Sequence, residues 1–404
     1  MTLPLTGLHV VDLCTYVAGP SACMTLAQLG ADVVRIDPLG GATDTRRLPL
    51  APGGQSLYWA GLNRGKRSIE VDLRAEAGRD VVRRLLAVPG EGHGILVTNA
   101  VGQSWLRHEE LLAVRPDLVQ IRIGGRPDGR PAVDYTVNCE VGLPWVTGPV
   151  DASAPVNHVL PAWDLITGAH AALSVVSAER MRRATGAPQY VEINLADVAV
   201  ATMAHLGFVA DVVVNGSQRL REGNYLYGSY GCDFATADSR RVMVVALTNR
   251  HWNTLIRLTG TEDVLAAMEK ALGVTFAEEE ARYRYRDVIS ALLRPWFEQR
   301  THAEVVASLE KAKVLWGDYR TIEEMTRSSD GLLAASGLFT DVDDPALGRY
   351  PVPAPVGRPT GWTPPAPEPA PAVGADTGDV LTDWLGLSRA EVGALAADGA
   401  IRPQ

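Results

Sequence analysis

The chain has no run of about 18 consecutive apolar residues, which excludes a hydrophobic transmembrane helix. Its first residues, Met1-Thr2-Leu3-Pro4-Leu5-Thr6, lack the basic start, apolar core and cleavage site of a secretory signal. Cysteine is scarce. Cys14, Cys23, Cys139 and Cys232 are the only four in 404 residues, and no two form a CxxC pair. A disulfide framework or cysteine zinc site is therefore not expected; reduced, buried thiols in a cytoplasmic protein are, Cys139 included. Positive charge is also in deficit, and the formal charge of −9 opposes a nucleic-acid partner. Two ligand motifs are missing as well. The turn after the first strand candidate, Tyr16-Val17-Ala18-Gly19-Pro20-Ser21, offers one glycine where a dinucleotide fingerprint needs three, and no P-loop occurs. No metal site is expected.

Against this acidic background the sign of charge reverses locally. Between Asp44 and Arg74 six basic residues (Arg46, Arg47, Arg64, Lys66, Arg67, Arg74) stand against three acidic ones (Asp44, Glu70, Asp72). Such an island suits the phosphates of a nucleotide-like ligand, although a solvated charged face has the same composition.

Short β-branched runs alternate with helical runs in the first part. His9–Leu13, Asp32–Ile36, Gly94–Thr98 and Leu118–Ile123 read as strands, and Ser21–Leu29 and Ala75–Ala87 as helices. That alternation predicts an α/β fold: a Rossmann-like parallel sheet covered by helices, with ligands at the carboxyl ends of its strands. From about Asn249 to Lys313 the pattern turns helical. Trp252, Leu255, Ile256 and Leu258 share one face, and Val288, Leu292, Leu293 and Trp296 another; Thr301-His302-Ala303-Glu304 is a capping box. Nine prolines between 351 and 371 read as an extended strap, and Ser388-Arg389-Ala390-Glu391 as a further capping box. The expected organisation is a large domain over 1–215, a smaller, mostly helical α+β domain over 216–330, and 331–404 as strap and C-terminal segment returning to the large domain. No internal repeat occurs.

One carboxylate stands out. Asn157 to Gly168 place Asp164 among apolar neighbours, just ahead of a helix-forming run over Ala169–Arg183. Asp164 there reads either as a helix N-cap, accepting bonds from unpaired backbone N–H groups, or as a water-shielded carboxylate nucleophile.

Four segments together resemble the class III CoA-transferases, the CaiB/BaiF-type family that includes formyl-CoA transferases, carnitine CoA-transferases and α-methylacyl-CoA racemases. They are Leu13–Pro38, Asn63–Ser68 with Val71-Asp72-Leu73, Trp163–Gly168, and the ending Asp376-Thr377 … Leu385-Gly386-Leu387-Ser388. The resemblance covers almost the whole chain. It implies that Asp164 is the catalytic nucleophile and that Val17, Ala18, Val71, Leu73, Arg74, Asn99 and Arg107 border CoA. Pro38 departs from the family, where some relatives hold a basic residue against the adenosine; Arg35 or the 64–67 cluster would compensate.

Closer motifs (Asp134–Asn138, Asn157–Asp164, Gly223–Gly228, Val242–Thr248) resemble a branch that moves CoA between the two carboxylates of one mesaconate. That implies polar groups for the non-reacting carboxylate: Arg47, Tyr135, Asn138 and His158 are the candidates. His158 reads equally as an ordinary loop histidine. The segment Gly223–Gly231, with three glycines and three tyrosines, reads as turn chemistry or as a lid over the reactive intermediate. The resemblance further implies acyl-CoA and a dicarboxylate as substrates, no cofactor beyond CoA, and an interlocked homodimer. An intermolecular CoA-transferase remains the alternative. A racemase is disfavoured because Val133 stands where such relatives have histidine, and a non-catalytic acyl-CoA-binding protein because Asp164 is present.

Overall fold

The computed structural model describes residues 3–357 and 366–403, so part of the predicted strap, 358–365, lies outside the described residues. The chain divides into two compact units: Met1–Val141, His158–Gly216 and Ser336–Gln404 form one, Gly142–Asn157 and Ser217–Ala335 the other. The stretch 142–157, expected in the large domain, thus groups with the second unit.

The first unit is built on six parallel strands: β1 (His9–Leu13), β2 (Asp32–Asp37), β3 (Arg67–Glu70), β4 (Ile95–Thr98), β5 (Val119–Gly124) and β6 (Gln189–Asn194). Their order is β3-β2-β1-β4-β5-β6, with β1 in register between β2 and β4 (Val11 opposite Val34 and Leu96). The inner strands are almost wholly buried, their Val, Ile and Leu residues interrupted by a few buried polar ones such as Asp12, Arg35 and Gln120. The chain reverses its direction of winding between β1 and β4, which opens a crevice at their carboxyl ends. Five helices concern the site: α1 (Ala18–Gln28), α2 (Leu57–Asn63), α3 (Glu76–Ala87), α4 (Asp134–Glu140) and α5 (Ala162–Thr185).

Helix α3 buries Val81, Val82, Leu85 and Leu86 in a core shared with Val380 and Leu381 of the helix Thr377–Leu385. On α5, Gly168 is pressed against α1: a Cβ there would lie 2.2 Å from Ser21 Oγ and 2.8 Å from Ala18 O. Only glycine permits that approach.

The second unit holds three antiparallel strands, β7 (Tyr230–Ala235), β8 (Arg241–Ala246) and β9 (Leu315–Asp318), packed with helices. The Thr301–Glu304 capping box is formed, and Trp252 and Leu255 are buried as expected. On Arg286–Glu298, however, Ile289, Leu293 and Phe297 face the core and Val288 is exposed, so the predicted face is rotated by one residue. The segment Gly223–Gly231 is held within this unit by stacked cations and rings, with Arg219 over Tyr227 and Arg286 over Tyr225.

Candidate active site

The chemistry-bearing residues of the first unit gather where α5 begins. Helix α5 starts at Ala162, earlier than the run Ala169–Arg183 indicated, and its N-cap position is Pro161, which contributes no side-chain cap. Asp164 is therefore a first-turn residue of the helix and not its cap. The capping carboxylate comes from elsewhere. Trp163 N–H and Asp164 N–H both donate to Asp134 Oδ2, at 2.7 and 3.1 Å, while His158 Nε2 lies 2.8 Å from Asp134 Oδ1. Asp134 is 1 % exposed, so its charge works at low effective dielectric against the free N–H groups of α5. Asn138, one turn further along α4, accepts from Trp163 Nε1 at 3.2 Å. Two residues on α4 thus fix the rotation and depth of the turn that carries Asp164.

The Asp164 carboxyl is pushed up to about 7, first by burial and then by the negative charge of Asp134, with Arg47 pulling the other way. Arg47 itself is exposed. Its guanidinium lies over the rings of Tyr58 (4.9 Å) and Tyr16 (5.5 Å). The Tyr58 hydroxyl is buried and without a hydrogen-bond partner among the described residues; burial raises it to about 12, so it stays a neutral donor. Tyr16 occupies the left-handed region (φ 70°), a strained backbone for a tyrosine, and its N–H is held by Asp44 Oδ2 at 3.0 Å. Asp44 is in turn paired with the fully buried Arg35 at 3.0 Å. Asn99 ties the loops after β1 and β4 together: its Oδ1 accepts from Thr15 N–H (3.1 Å) and its amide donates to Thr15 O (2.9 Å).

Of the expected residues, Asp164, His158, Tyr135 and Asn138 come together around Asp134, which was not among them. Tyr135 donates its hydroxyl to Val159 O (3.1 Å) and turns its ring edge to His158. Val17 and Ala18 are buried at the start of α1, beside Gly168. Val71 is buried and Leu73 half-buried after β3, whereas Arg74 and Arg107 are exposed, Arg107 pairing with Glu110 at 2.9 Å. Three expectations fail. Arg35 cannot compensate for Pro38, because it is wholly buried between Asp37, Asp44 and Asn63. The 64–67 cluster offers little in its place: Lys66 is buried on Asp12 (2.8 Å) and Arg67 pairs with Asp32 (2.7 Å), although Arg46, Arg47 and Arg74 of the basic island stay exposed. Cys139 is exposed, not buried. The sequence reading missed Tyr16, Tyr58 and the capping role of Asp134. An Asp at the head of one helix, 30 residues before the Asp of another, carries no local signal of their meeting.

Among the described residues no three His, Cys, Asp or Glu side chains converge as a metal site, and no single helix is long and apolar enough to cross a membrane.

Comparison with known proteins places the chain in a family. The model of CoA-transferase family III matches residues 5–377. The 2-methylfumaryl-CoA isomerase of Chloroflexus aurantiacus is 46 % identical over 401 residues, covering 98 % of this chain and 97 % of that protein. The human succinyl-CoA:glutarate CoA-transferase is 24 % identical, covering 98 % of this chain and 90 % of that protein. Among solved structures, a CaiB/BaiF family protein from Brucella suis superposes with a TM-score of 0.77 at 25 % identity, over 95 % of this chain and 100 % of that one.

Proposed function

Since the chain belongs to CoA-transferase family III, and is an enzyme of that type, we propose that it isomerises 2-methylfumaryl-CoA to 3-methylfumaryl-CoA, moving CoA between the two carboxylates of one dicarboxylate. The observation that carries this reading is the near-full-length likeness to an enzyme of that name, joined to a half-buried carboxylate at the expected place.

In this mechanism the ionised Asp164 attacks the thioester carbonyl, the C–S bond breaks, and an aspartyl–acyl anhydride forms with release of CoA thiolate. The thiolate attacks the aspartyl carbonyl of the anhydride. The original carboxylate leaves, and an aspartyl-CoA thioester remains. The second carboxylate of the same diacid then attacks that thioester, and the reverse steps deliver the isomeric CoA ester and free Asp164. Asp134 positions Asp164 through the backbone of α5. Arg47, with the Tyr58 hydroxyl beside it, holds the carboxylate that is not reacting, and neutralises charge as the diacid pivots. Tyr135 and His158 wall the same pocket, while Asn138 acts from beneath it through Trp163. Val17, Ala18, Val71, Leu73, Arg74, Asn99 and Arg107 border CoA, and no group beyond CoA is required.

We also propose that a second copy covers the apolar groove along α1 and α5, where Leu165, Leu173 and Val176 are at least partly exposed. Sedimentation at dilute and concentrated protein tests that separately.

The decisive experiment for the reaction is incubation of purified protein with the C1 thioester alone. Appearance of the C4 thioester without added acid is expected, and Asp164→Asn abolishes it. A strict requirement for a second, free carboxylic acid would replace the isomerase by the intermolecular transferase, which uses the same Asp164.

A further inference from the structure

We propose that the cavity beside the proline-rich strap is a binding site for a small oxyanion, gripped by the guanidinium of Arg64. The cavity has a volume of about 210 Å³ and is lined by Gln28, Arg64 and Gly65 together with strap residues including Pro353 and Pro367. At ~30 Å³ per liquid water it has room for about seven waters, or one phosphate or carboxylate. It lies where α1 ends and β3 is about to begin, at the amino ends of the strands, and so at the opposite end of the sheet from the loops after β1 and β4.

Arg64 is 6 % exposed and forms no ion pair among the described residues. Its Nε has no hydrogen-bond partner among the described residues. Nη1 reaches Pro353 O only at 3.5 Å, and Nη2 reaches the weak acceptor Met24 Sδ at 3.9 Å. A guanidinium has five donors, so most of its capacity is unmet. The neighbouring cations turned toward the sheet each have a carboxylate: Arg35 has Asp37 and Asp44, Lys66 has Asp12, and Arg67 has Asp32. Arg64 alone lacks one. Burial accordingly lowers its pKa, with the Tyr350 side chain offsetting part of the effect. The Tyr350 hydroxyl is itself buried and has no hydrogen-bond partner among the described residues.

Nearby acids do not fill the gap. Glu368 lines the cavity but is exposed and makes no ion pair with Arg64. Asp344 faces Tyr350, yet its Oδ1 is already taken by the N–H groups of Ala346 (2.8 Å) and Leu347 (3.0 Å). Residues 358–365, which join the two strap stretches, contain no Asp or Glu. A buried charge without a counter-charge is the costly arrangement, and an oxyanion accepting two parallel N–H bonds removes that cost. Its source is either a free anion or an acidic side chain of a second copy.

Inorganic phosphate, added to the full chain, is the probe. Thermal melts of the wild type are expected to shift upward with phosphate, and phosphate is expected to shield Arg64 from phenylglyoxal, mapped by peptide mass spectrometry. Arg64→Met should flatten the titration, and Arg64→Lys should raise its midpoint at least about tenfold, since an ammonium lacks the bidentate fork. Asp164→Asn should leave it unchanged, which separates this site from the proposed reaction. If the wild type ignores phosphate while Arg64→Met lowers the sedimenting mass, a second copy supplies the oxyanion. Equal responses in wild type and Arg64→Met, or no response with unchanged mass, overturn the proposal. Should Arg64→Met not fold, a phosphate-induced melting shift in the wild type with no shielding of Arg64 overturns it as well.

Discussion

At the residue scale, the proposed chemistry turns on one carboxylate whose ionisation is pushed up toward neutral pH. Asp164 is raised to about 7 by burial and by Asp134, so the free enzyme's kcat/KM should climb with pH through a midpoint near 7 as the nucleophile ionises. Asp134→Asn removes the neighbouring negative charge and is expected to move the midpoint to lower pH; Arg47→Met removes the compensating cation and moves it higher. Midpoints that stay put in both variants would contradict the electrostatic assignment. The same shift makes a stability prediction of definite sign. A carboxyl whose folded pKa lies above its unfolded value favours the native state below the unfolded pKa and loses that contribution as pH rises through the folded pKa. Asp164→Asn should therefore unfold at higher denaturant than wild type by about 1–3 kcal/mol at alkaline pH, with the gap closing toward pH ~4, as urea melts across pH would show. Asp164 itself was legible in the sequence, because an acidic residue before a long helical run is conspicuous. Asp134, Tyr58 and Tyr16 were not: their roles arise from distances across the fold, and nothing in their own neighbourhoods marks them.

At the element scale, α5, which carries the proposed nucleophile Asp164, approaches α1 closely at Gly168. Asp164 and Gly168 are four apart and so share a face of α5, and the face is set by contact with α1. Gly168→Ala would ordinarily stabilise a helix by about 1 kcal/mol. Here the added methyl would sit 2.2 Å from Ser21 Oγ and 2.8 Å from a backbone carbonyl, so the helices must part. We expect a net loss of about 1–3 kcal/mol in chemical denaturation, with a fall in kcat larger than any change in KM. A neutral or stabilising result would mean that the two helices slide without consequence. Helix boundaries show why element-scale reading from sequence is partial. The true start of α5 at Ala162 depends on a cap donated by Asp134 from another element, so a search for a local Ser, Thr or Asp cap stops at the wrong residue. The reading of Arg35 and the 64–67 cluster fell short for a related reason: composition counts charges but not the carboxylates that β1 and β2 bring beneath them, which turn Arg35 and Lys66 inward.

At the scale of the whole molecule, the parallel sheet has an edge that only the far end of the chain can close. The four inner strands were readable because each stretch offers at least two adjacent aliphatic residues, whereas the edge strands β3 (RSIE) and β6 (QYVEIN) were not, since neither contains such a pair. The free side of β3 is satisfied by residues some 300 positions later. Ser68 N–H donates to Asp376 Oδ2 (2.8 Å), Asp376 N–H to Ser68 O (2.9 Å), and Glu70 N–H to Thr377 Oγ1 (3.2 Å). Beyond them Asp72 N–H donates to Ala400 O (2.9 Å), and Arg402 N–H to Glu70 O (3.2 Å). The helix between these anchors buries Val380 and Leu381 completely against the core of α3. An uncovered edge of this kind is a template for pairing with other chains. Truncation before Asp376 is therefore expected to give protein that aggregates on light scattering even where catalytic residues are intact. Leu381→Ala separates the two causes, because it leaves the edge bonds in place and removes only packing. It should cost about 2–5 kcal/mol in denaturant unfolding while the protein stays soluble. If the truncated chain remains monodisperse and as stable as the full one, the C-terminal segment is an ornament on the sheet and not its closing strand-mate.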